Sequence, residues 1–485
     1  MASFLCHLVF LSLALLASAN GFTVPLKRVH RSPADFSHPG TPTCRWATAT
    51  ICAFLYISVG TCSDHTYGFS AYIAHISVGG QKLGVILDTG SSDLWVVSSN
   101  CTGIDCSGVA KYNATSSLSL SSYNFKLAYL IGTVSGSIGF ETITLGSYQI
   151  TAQVFAIANE TRGLNLSSAG NSGIMGLSFP LSAAIPATAG KTILENMFAY
   201  FDEAHRFFAF RLGRSSDDST FSFGQLDSML SNSTNDFTRT AVYTGTGRHS
   251  TLDYWKLPLH AITLNSSTSI SSFTPSRVSG SATPIAVLDT GTTFILGPTK
   301  DVDAFWAAVG ASRKLGSGQW EVQCTRAVAV GFVLGDEHTK REYVIDPEDV
   351  SLADGSPEEG WCTGGIQASD GVNSGDWILG DAFLRNVYVT HHGATAHQPP
   401  QIGLLNLTDP HSTLARFQSE RGHDSSDPIS GHPQVYSHQG HTHLNAPAIC
   451  GIVLVSAFIV GALLSLVAQW YMQHRYNVRK DSTMS

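Results

Sequence analysis

Apolar and polar positions alternate along most of the middle of the chain. Tyr72 to Val78 and Leu83 to Leu87 alternate around Gly79-Gly80, which predicts a hairpin. Ser137 to Leu145 and Ile150 to Ile157 repeat the two-residue period. A helical period is confined to short stretches, the clearest being Asp301 to Val309 after Gly297-Pro298, with a shorter one near Thr192 to Tyr200. The prediction is an all-β protein.

Two apolar runs fall outside this pattern. Leu8 to Ala17, followed by Ala17-Ser18-Ala19, reads as a signal peptide over 1–19, although its amino-terminal side is weakly charged. Ala448 to Ala468 is 21 residues without a charge, about 31 Å as a helix and enough to cross a bilayer. Arg475, Arg479 and Lys480 follow it, so the tail 469–485 is expected in the cytosol and the bulk of the chain in a lumen or outside the cell. A buried helix and a removable glycolipid signal are the alternatives, and the basic tail argues against the second. The expected location is the secretory pathway, ending at the plasma membrane or in an acidic vacuole-like organelle.

Between these ends, residues 20–67 read as a propeptide-like leader, with Lys27, Arg28 and Arg31 placed to cover an acidic cleft and Pro25, Pro33, Pro39 and Pro42 interrupting long elements. Within it, 43–62 is anomalous, carrying three cysteines and an apolar run from Ile51 to Val59 too short to span a membrane; a misplaced exon boundary is one explanation. The expected lobes are 68–240 and 241–407, followed by a flexible Ser/His/Pro-rich stalk over 408–447. Its histidines at 432, 438, 441 and 443 are read as part of a solvated spacer rather than as a metal site.

Composition adds little beyond class. Forty-five glycines, 25 phenylalanines and 13% charged residues suit a folded, glycine-turned β protein, and a formal charge of -8 gives no reason to expect nucleic acid. Asn113, Asn159, Asn165, Asn232, Asn265 and Asn406 each head an acceptor sequon for N-glycosylation. Cys6 and Cys450 fall in the two apolar runs. Cys101 with Cys106, and Cys324 with Cys362, suit loop-closing disulfides in an oxidising lumen better than a metal site.

The chemistry lies in a repeat. Asp88-Thr89-Gly90-Ser91-Ser92 returns as Asp289-Thr290-Gly291-Thr292-Thr293, each after an apolar strand-like run. Each is followed at similar distance by a second apolar element, Gly173-Ile174-Met175-Gly176 and Trp377-Ile378-Leu379-Gly380, so two lobes of one plan are expected. Facing strand ends would bring both carboxylates to one water. Gly90 and Gly291 would permit the tight turns, Thr89 and Thr290 would bond across the junction, and Ser91 and Thr292 would donate to the outer carboxylate oxygens. Two close carboxylates share one proton, and the pair can activate water against a peptide carbonyl without a metal or an acyl-enzyme. The glycine-rich stretch Phe125 to Glu141 reads as a hairpin over a cleft, with Tyr129 reaching Trp95. A non-catalytic peptide-binding protein on the same scaffold and a paired-carboxylate glycosidase are the competing readings.

Over roughly 67–407 the chain resembles the two-lobed eukaryotic pepsin-type aspartic endopeptidases, in a fungal-like membrane-anchored form. The resemblance rests on Val85-Ile86-Leu87-Asp88 through Trp95, Ser172 through Leu177, Val287-Leu288-Asp289 through Thr293, and Trp377 through Leu384. It implies a cleft between pseudo-symmetric lobes, Asp88 and Asp289 as the catalytic pair, Ser91 and Thr292 as their supports, and Tyr129 as the flap tyrosine with Trp95 behind it. It also implies disulfides Cys101 to Cys106 and Cys324 to Cys362, a removable propeptide, protein or peptide substrates, an acidic optimum, inhibition by statine-containing peptides, no cofactor and no metal. The catalytic unit is expected to act as a monomer. The chain departs from the pattern after the flap tyrosine, where Leu130-Ile131 precede Gly132 in place of an immediate glycine.

Overall fold

The structure is a computed structural model that describes residues 21–30, 44–51, 55–62, 70–214, 218–245, 250–265, 268–353, 360–423 and 434–435. The expected signal peptide, membrane span and cytosolic tail lie outside these residues. Among the described residues no helix is long and apolar enough to cross a membrane.

The alternating runs become strands as their period requires. Ser70–Val78 and Gln81–Asp88 form an antiparallel hairpin closing at Val78 and Gln81, and Thr133–Leu145 pairs with Tyr148–Arg162 in the same sense. The two helical periods fold as Thr299–Val309 and Ile193–Tyr200. The second starts at a capping box, in which Thr192 Oγ1 accepts from Glu195 N at 3.3 Å and Thr192 N donates to the Glu195 carboxylate at 2.8 Å.

Two sheets carry the repeated halves. In the first, Gly173–Gly176 lies between Gln81–Asp88, to which it runs parallel, and Leu94–Val97. In the second, Trp377–Leu379 lies between Ile285–Leu288, again parallel, and Ile295–Gly297. Each Asp therefore ends a strand buried on both flanks, which is why these runs read as continuous hydrophobic stretches rather than alternating ones. The fold is all-β and built twice to one plan.

A third, six-stranded sheet is shared. It takes Phe22–Pro25, Phe207–Arg211, Thr220–Phe223 and Thr238–Ala241 from the first half and Val387–His392 and Gln401–Asn406 from the second. The boundary placed at 240/241 therefore falls inside a strand. Its Ser/Thr/Asn-rich surroundings look like a linker, but Thr238–Ala241 satisfies its backbone against Gln401–Leu404.

Parts of the expected leader and stalk have ordered partners. The leader is built into the sheets at its start: Phe22–Pro25 pairs with Thr220–Phe223, and Lys27–His30 pairs with Ser70–Ile73. Lys27 and Arg28 are thus sheet-edge residues, and an Arg28 guanidinium N–H donates to the Arg214 carbonyl. Further along, Cys44–Ile51 and Leu55–Cys62 form an antiparallel hairpin within the anomalous segment. The expected stalk begins with a docked helix, Pro410–Arg421, capped by Asp409, which accepts from Ser412 N at 2.9 Å. Phe417 is fully buried, Arg416 pairs with Asp346, and Arg421 donates to the Ser351 carbonyl at 2.6 Å. One buried ring and a few charged anchors hold a segment whose overall polarity signals a spacer.

Candidate active site

The two Asp-Thr-Gly loops meet through their threonines. Thr89 N donates to Thr290 Oγ1 and Thr290 N donates to Thr89 Oγ1, both at 3.1 Å. Each hydroxyl then donates to the opposite strand, Thr89 Oγ1 to Leu288 O at 2.8 Å and Thr290 Oγ1 to Leu87 O at 2.6 Å. Both threonines are buried, so no water competes for these bonds.

This crossing sets the carboxylates side by side. A Cβ on Gly90 would fall 2.5 Å from the Asp289 carboxyl carbon, and one on Gly291 would fall 2.4 Å from Asp88 Oδ1. Only glycine at each position leaves room for the other loop's carboxylate. Within its own loop, Asp88 Oδ1 accepts from Gly90 N at 2.8 Å and Oδ2 accepts from Ser91 Oγ. Asp289 repeats the arrangement with Gly291 N and Thr292 Oγ1, each at 2.8 Å. The neighbouring strands fix the loops from behind: Leu177 N donates to Asp88 O at 2.7 Å and Asp289 N to Leu379 O at 3.1 Å.

The pair is shielded from solvent, with Asp88 5% and Asp289 8% exposed. Burial first, and then the charge of Asp289, push the Asp88 carboxyl up from 3.8 to about 8; the Ser91 and Gly90 donors oppose the shift only in part. The pair therefore retains a proton across the range in which an isolated carboxyl would be ionised.

Hairpin strands Ser119–Ala128 and Thr133–Leu145 bring Tyr129 over this loop. Trp95 Nε1 donates to Tyr129 Oη at 2.8 Å, and burial together with the nearby Asp88 charge raises the phenol well above its usual range. The turn closes through Tyr129 N to Gly132 O at 2.7 Å, leaving Leu130 and Ile131 53% and 58% exposed at the tip. The departure from the family pattern thus takes the form of an apolar tip.

Cys101 is bonded to Cys106 and Cys324 to Cys362. The acceptor asparagines 113, 159, 232, 265 and 406 are exposed, and Asn165 is half-buried.

The residue reading gave no role to Asp381, although it lies in the quoted string Trp377 to Leu384. Its amide donates to Thr292 O at 2.8 Å, directly behind the second loop, and its side chain is 1% exposed. Burial raises its carboxyl well above the usual range, against the attraction of Arg385. Tyr254 was also missed. Its phenol is raised by burial, and the Asp253, Asp88 and Asp289 charges add to the shift, so it stands near the pair. Nothing in the local sequence marks either residue, since both are brought in by strands distant in the chain.

Comparison with protein families matches residues 71–398, about two-thirds of the chain, to the eukaryotic aspartyl protease family. Major aspartyl peptidase 1 of Cryptococcus neoformans var. grubii is 29% identical over 378 residues, covering 74% of this chain and 73% of that protein. Pepsin A of Sus scrofa is 28% identical over 327 residues, covering 65% and 77% respectively. The aspartic protease of Phaffia rhodozyma is 29% identical over 328 residues, covering 66% and 73%. With the matched region enclosing both crossed Asp-Thr-Gly loops, the chain belongs to the eukaryotic aspartyl protease family.

Proposed function

We propose that this aspartic endopeptidase hydrolyses peptide bonds with a water activated by the one-proton pair of Asp88 and Asp289, and that it works best in acid. The observation carrying this reading is the reciprocal Thr89/Thr290 bonding, which places each carboxylate against the other loop's glycine. The charged member takes a proton from the bound water as its oxygen attacks the peptide carbonyl, while the protonated member gives its proton to the carbonyl oxygen. The tetrahedral diol then collapses: one of its hydroxyls returns a proton to the ionised carboxylate, the C–N bond breaks, and the amine nitrogen leaves with the proton that the other carboxyl took from water. Ser91 and Thr292 hold the outer oxygens by donating to them, and the inner oxygens, each accepting one backbone N–H, keep a lone pair for water. Tyr129, fixed by Trp95, covers the site and limits access of bulk water.

The test is digestion of a denatured protein by the purified chain from about pH 3 to pH 8, with and without a statine-containing peptide. Cleavage in acid that the peptide blocks, and that Asp88→Asn and Asp289→Asn both abolish, is the expected result. Peptide binding without cleavage at any pH would favour a non-catalytic role on this scaffold.

The same reading places the enzyme in the secretory pathway, entered through 1–19 and held at a membrane by 448–468, with the catalytic body lumenal or extracellular. Two disulfides and six acceptor asparagines with accessible or half-accessible side chains support an oxidising, glycosylating route. Glycosidase treatment should lower the apparent mass, and alkaline carbonate should leave the protein in the membrane pellet. Release into the soluble fraction without prior proteolysis would remove the anchor from this account.

A further inference from the structure

A cavity of about 420 Å³ has a wall that includes Thr244, Thr251, Asp253, Lys256, Arg277 and Ser279. The segment carrying Asp253 and Lys256 is tied to both Asp loops. Trp255 Nε1 donates to Leu177 O at 2.9 Å, Leu177 N donates to Asp88 O at 2.7 Å, and Leu288 N donates to Trp255 O at 3.0 Å. Tyr254, between the two charged residues, feels the charges of Asp88 and Asp289. The segment that supplies Asp253 and Lys256 to the cavity wall is therefore anchored to the elements that carry both carboxylates.

Its wall is rich in donors. The Lys256 side chain is 7% exposed, and its ammonium lies 2.8 Å from each oxygen of the Asp253 carboxylate and 5.5 Å from the centroid of the Tyr254 ring. An ammonium has three N–H donors, so a pair that engages both carboxylate oxygens leaves one for a ligand. Arg277 also lines the cavity, 39% exposed, with its guanidinium held by the Asp376 carboxylate at 3.6 Å and by the carbonyls of Asp370, Asp376 and Gly375 at 2.9, 3.3 and 3.5 Å. Its charge is thus positioned by the protein while part of its fork faces open space. Thr244, Thr251 and Ser279 add hydroxyls that can donate as well as accept.

We propose that this cavity is a substrate subsite that takes a carboxylate close to the scissile bond, with Lys256 as its main binding residue and Arg277 as a second cationic contact. The proposal rests on the reading that the cleft holds an extended peptide. A carboxylate supplies acceptors for the N–H groups that Asp253 leaves on Lys256 and that the backbone carbonyls leave on Arg277, whereas an apolar side chain would leave them desolvated and unpaired. The carboxylate comes either from an acidic side chain or from the free C-terminus of a short peptide.

The test is calorimetric binding of peptides whose central amide is replaced by a noncleavable hydroxyethylene link, with Glu or Gln placed in turn at each flanking position. At one position Glu should bind about tenfold more tightly than Gln at about pH 5.5 and lose that advantage at about pH 3.5, where the side chain, with its ordinary pKa of about 4.3, is neutral. Lys256→Gln should bring the two affinities together at the higher pH. A matched pair with free and amidated C-termini separates the two sources of carboxylate: an advantage confined to the free terminus assigns the site to chain ends. Equal binding of Glu and Gln, and of free and amidated termini, by the wild-type chain would overturn the subsite. Failure to bind any of these peptides would do the same. Glu-selective binding without hydrolysis of the parent peptides would leave the subsite standing and remove the catalytic proposal.

Discussion

Thr89 and Thr290 exchange hydrogen bonds in both directions across 201 positions of sequence, each backbone amide donating to the other's hydroxyl at 3.1 Å. Replacing Thr290 by Val keeps the volume but removes the acceptor of Thr89 N and the donor to Leu87 O. Two buried backbone groups lose their partners, so unfolding free energy should fall by about 2–4 kcal/mol, with most activity lost. Denaturant melts read the loss. Thr290→Ser, which retains the oxygen, should recover most of both, and an undisturbed midpoint in the Val variant would mean that the crossing does not hold the loops together.

The pH dependence of stability should carry the mark of Asp88. Its folded carboxyl is raised from 3.8 to about 8, so folding retains a proton that the unfolded chain has released. The stabilisation is complete below about pH 4 and is lost as pH rises towards 8. Asn in place of Asp88 removes this linkage, so Asp88→Asn should melt higher than the wild type near pH 7, by on the order of 2–4 kcal/mol, and gain little at pH 3. Paired melting curves at the two pH values decide it.

Tyr129→Phe takes away the oxygen that accepts from Nε1 of the fully buried Trp95. The indole N–H is left unsatisfied, at a cost of about 1 kcal/mol or somewhat more. Loss of the anchored flap should lower kcat/KM by about tenfold. An unchanged kcat/KM with an unchanged melting point would show that the contact is incidental.

A second group works against acid. His391 is fully buried, stacked on Phe208 at 4.5 Å and set edge-on to Trp255 at 4.8 Å, and neither ring nitrogen has a hydrogen-bond partner among the described residues. Burial, with the neighbouring His392 adding to it, holds its pKa well below the ordinary 6.5. The unfolded chain takes up a proton that the folded one refuses, so stability is present above pH 6.5 and falls by up to about 1.4 kcal/mol per pH unit below it. His391→Phe should flatten this slope. Identical slopes in melts from pH 6.5 down to 4.5 would show that His391 is not what limits stability in acid. The fold thus contains opposing pH dependences, one favouring the protonated pair and one favouring a neutral core imidazole.

Much of this was legible before any coordinates. The two-residue period gave the hairpin of Tyr72 to Val78 with Leu83 to Leu87, and the helical period gave Asp301 to Val309, because both depend on one face of a local element being buried. The repeated Asp-Thr-Gly-hydroxyl strings announced two equivalent loops, since side-chain-to-backbone bonds within a turn are set by residues two and three apart. The polar helix Pro410–Arg421 was not legible: its seat is made by Asp346 and Ser351, some 70 positions away.

The amino-acid string by itself determined where the strands, the short helices and the two carboxylate turns form, because those are contests among neighbouring residues. Only the tertiary structure decided that Gly90 lies against Asp289 and Gly291 against Asp88, that Phe22–Pro25 and Gln401–Asn406 share a sheet, and that Lys256 and Arg277 line one cavity. Proximity of that kind depends on the sum of burial over many strands, and a raised carboxyl such as that of Asp88 follows from it, since desolvation and a neighbouring charge exist only once the chain has closed around them.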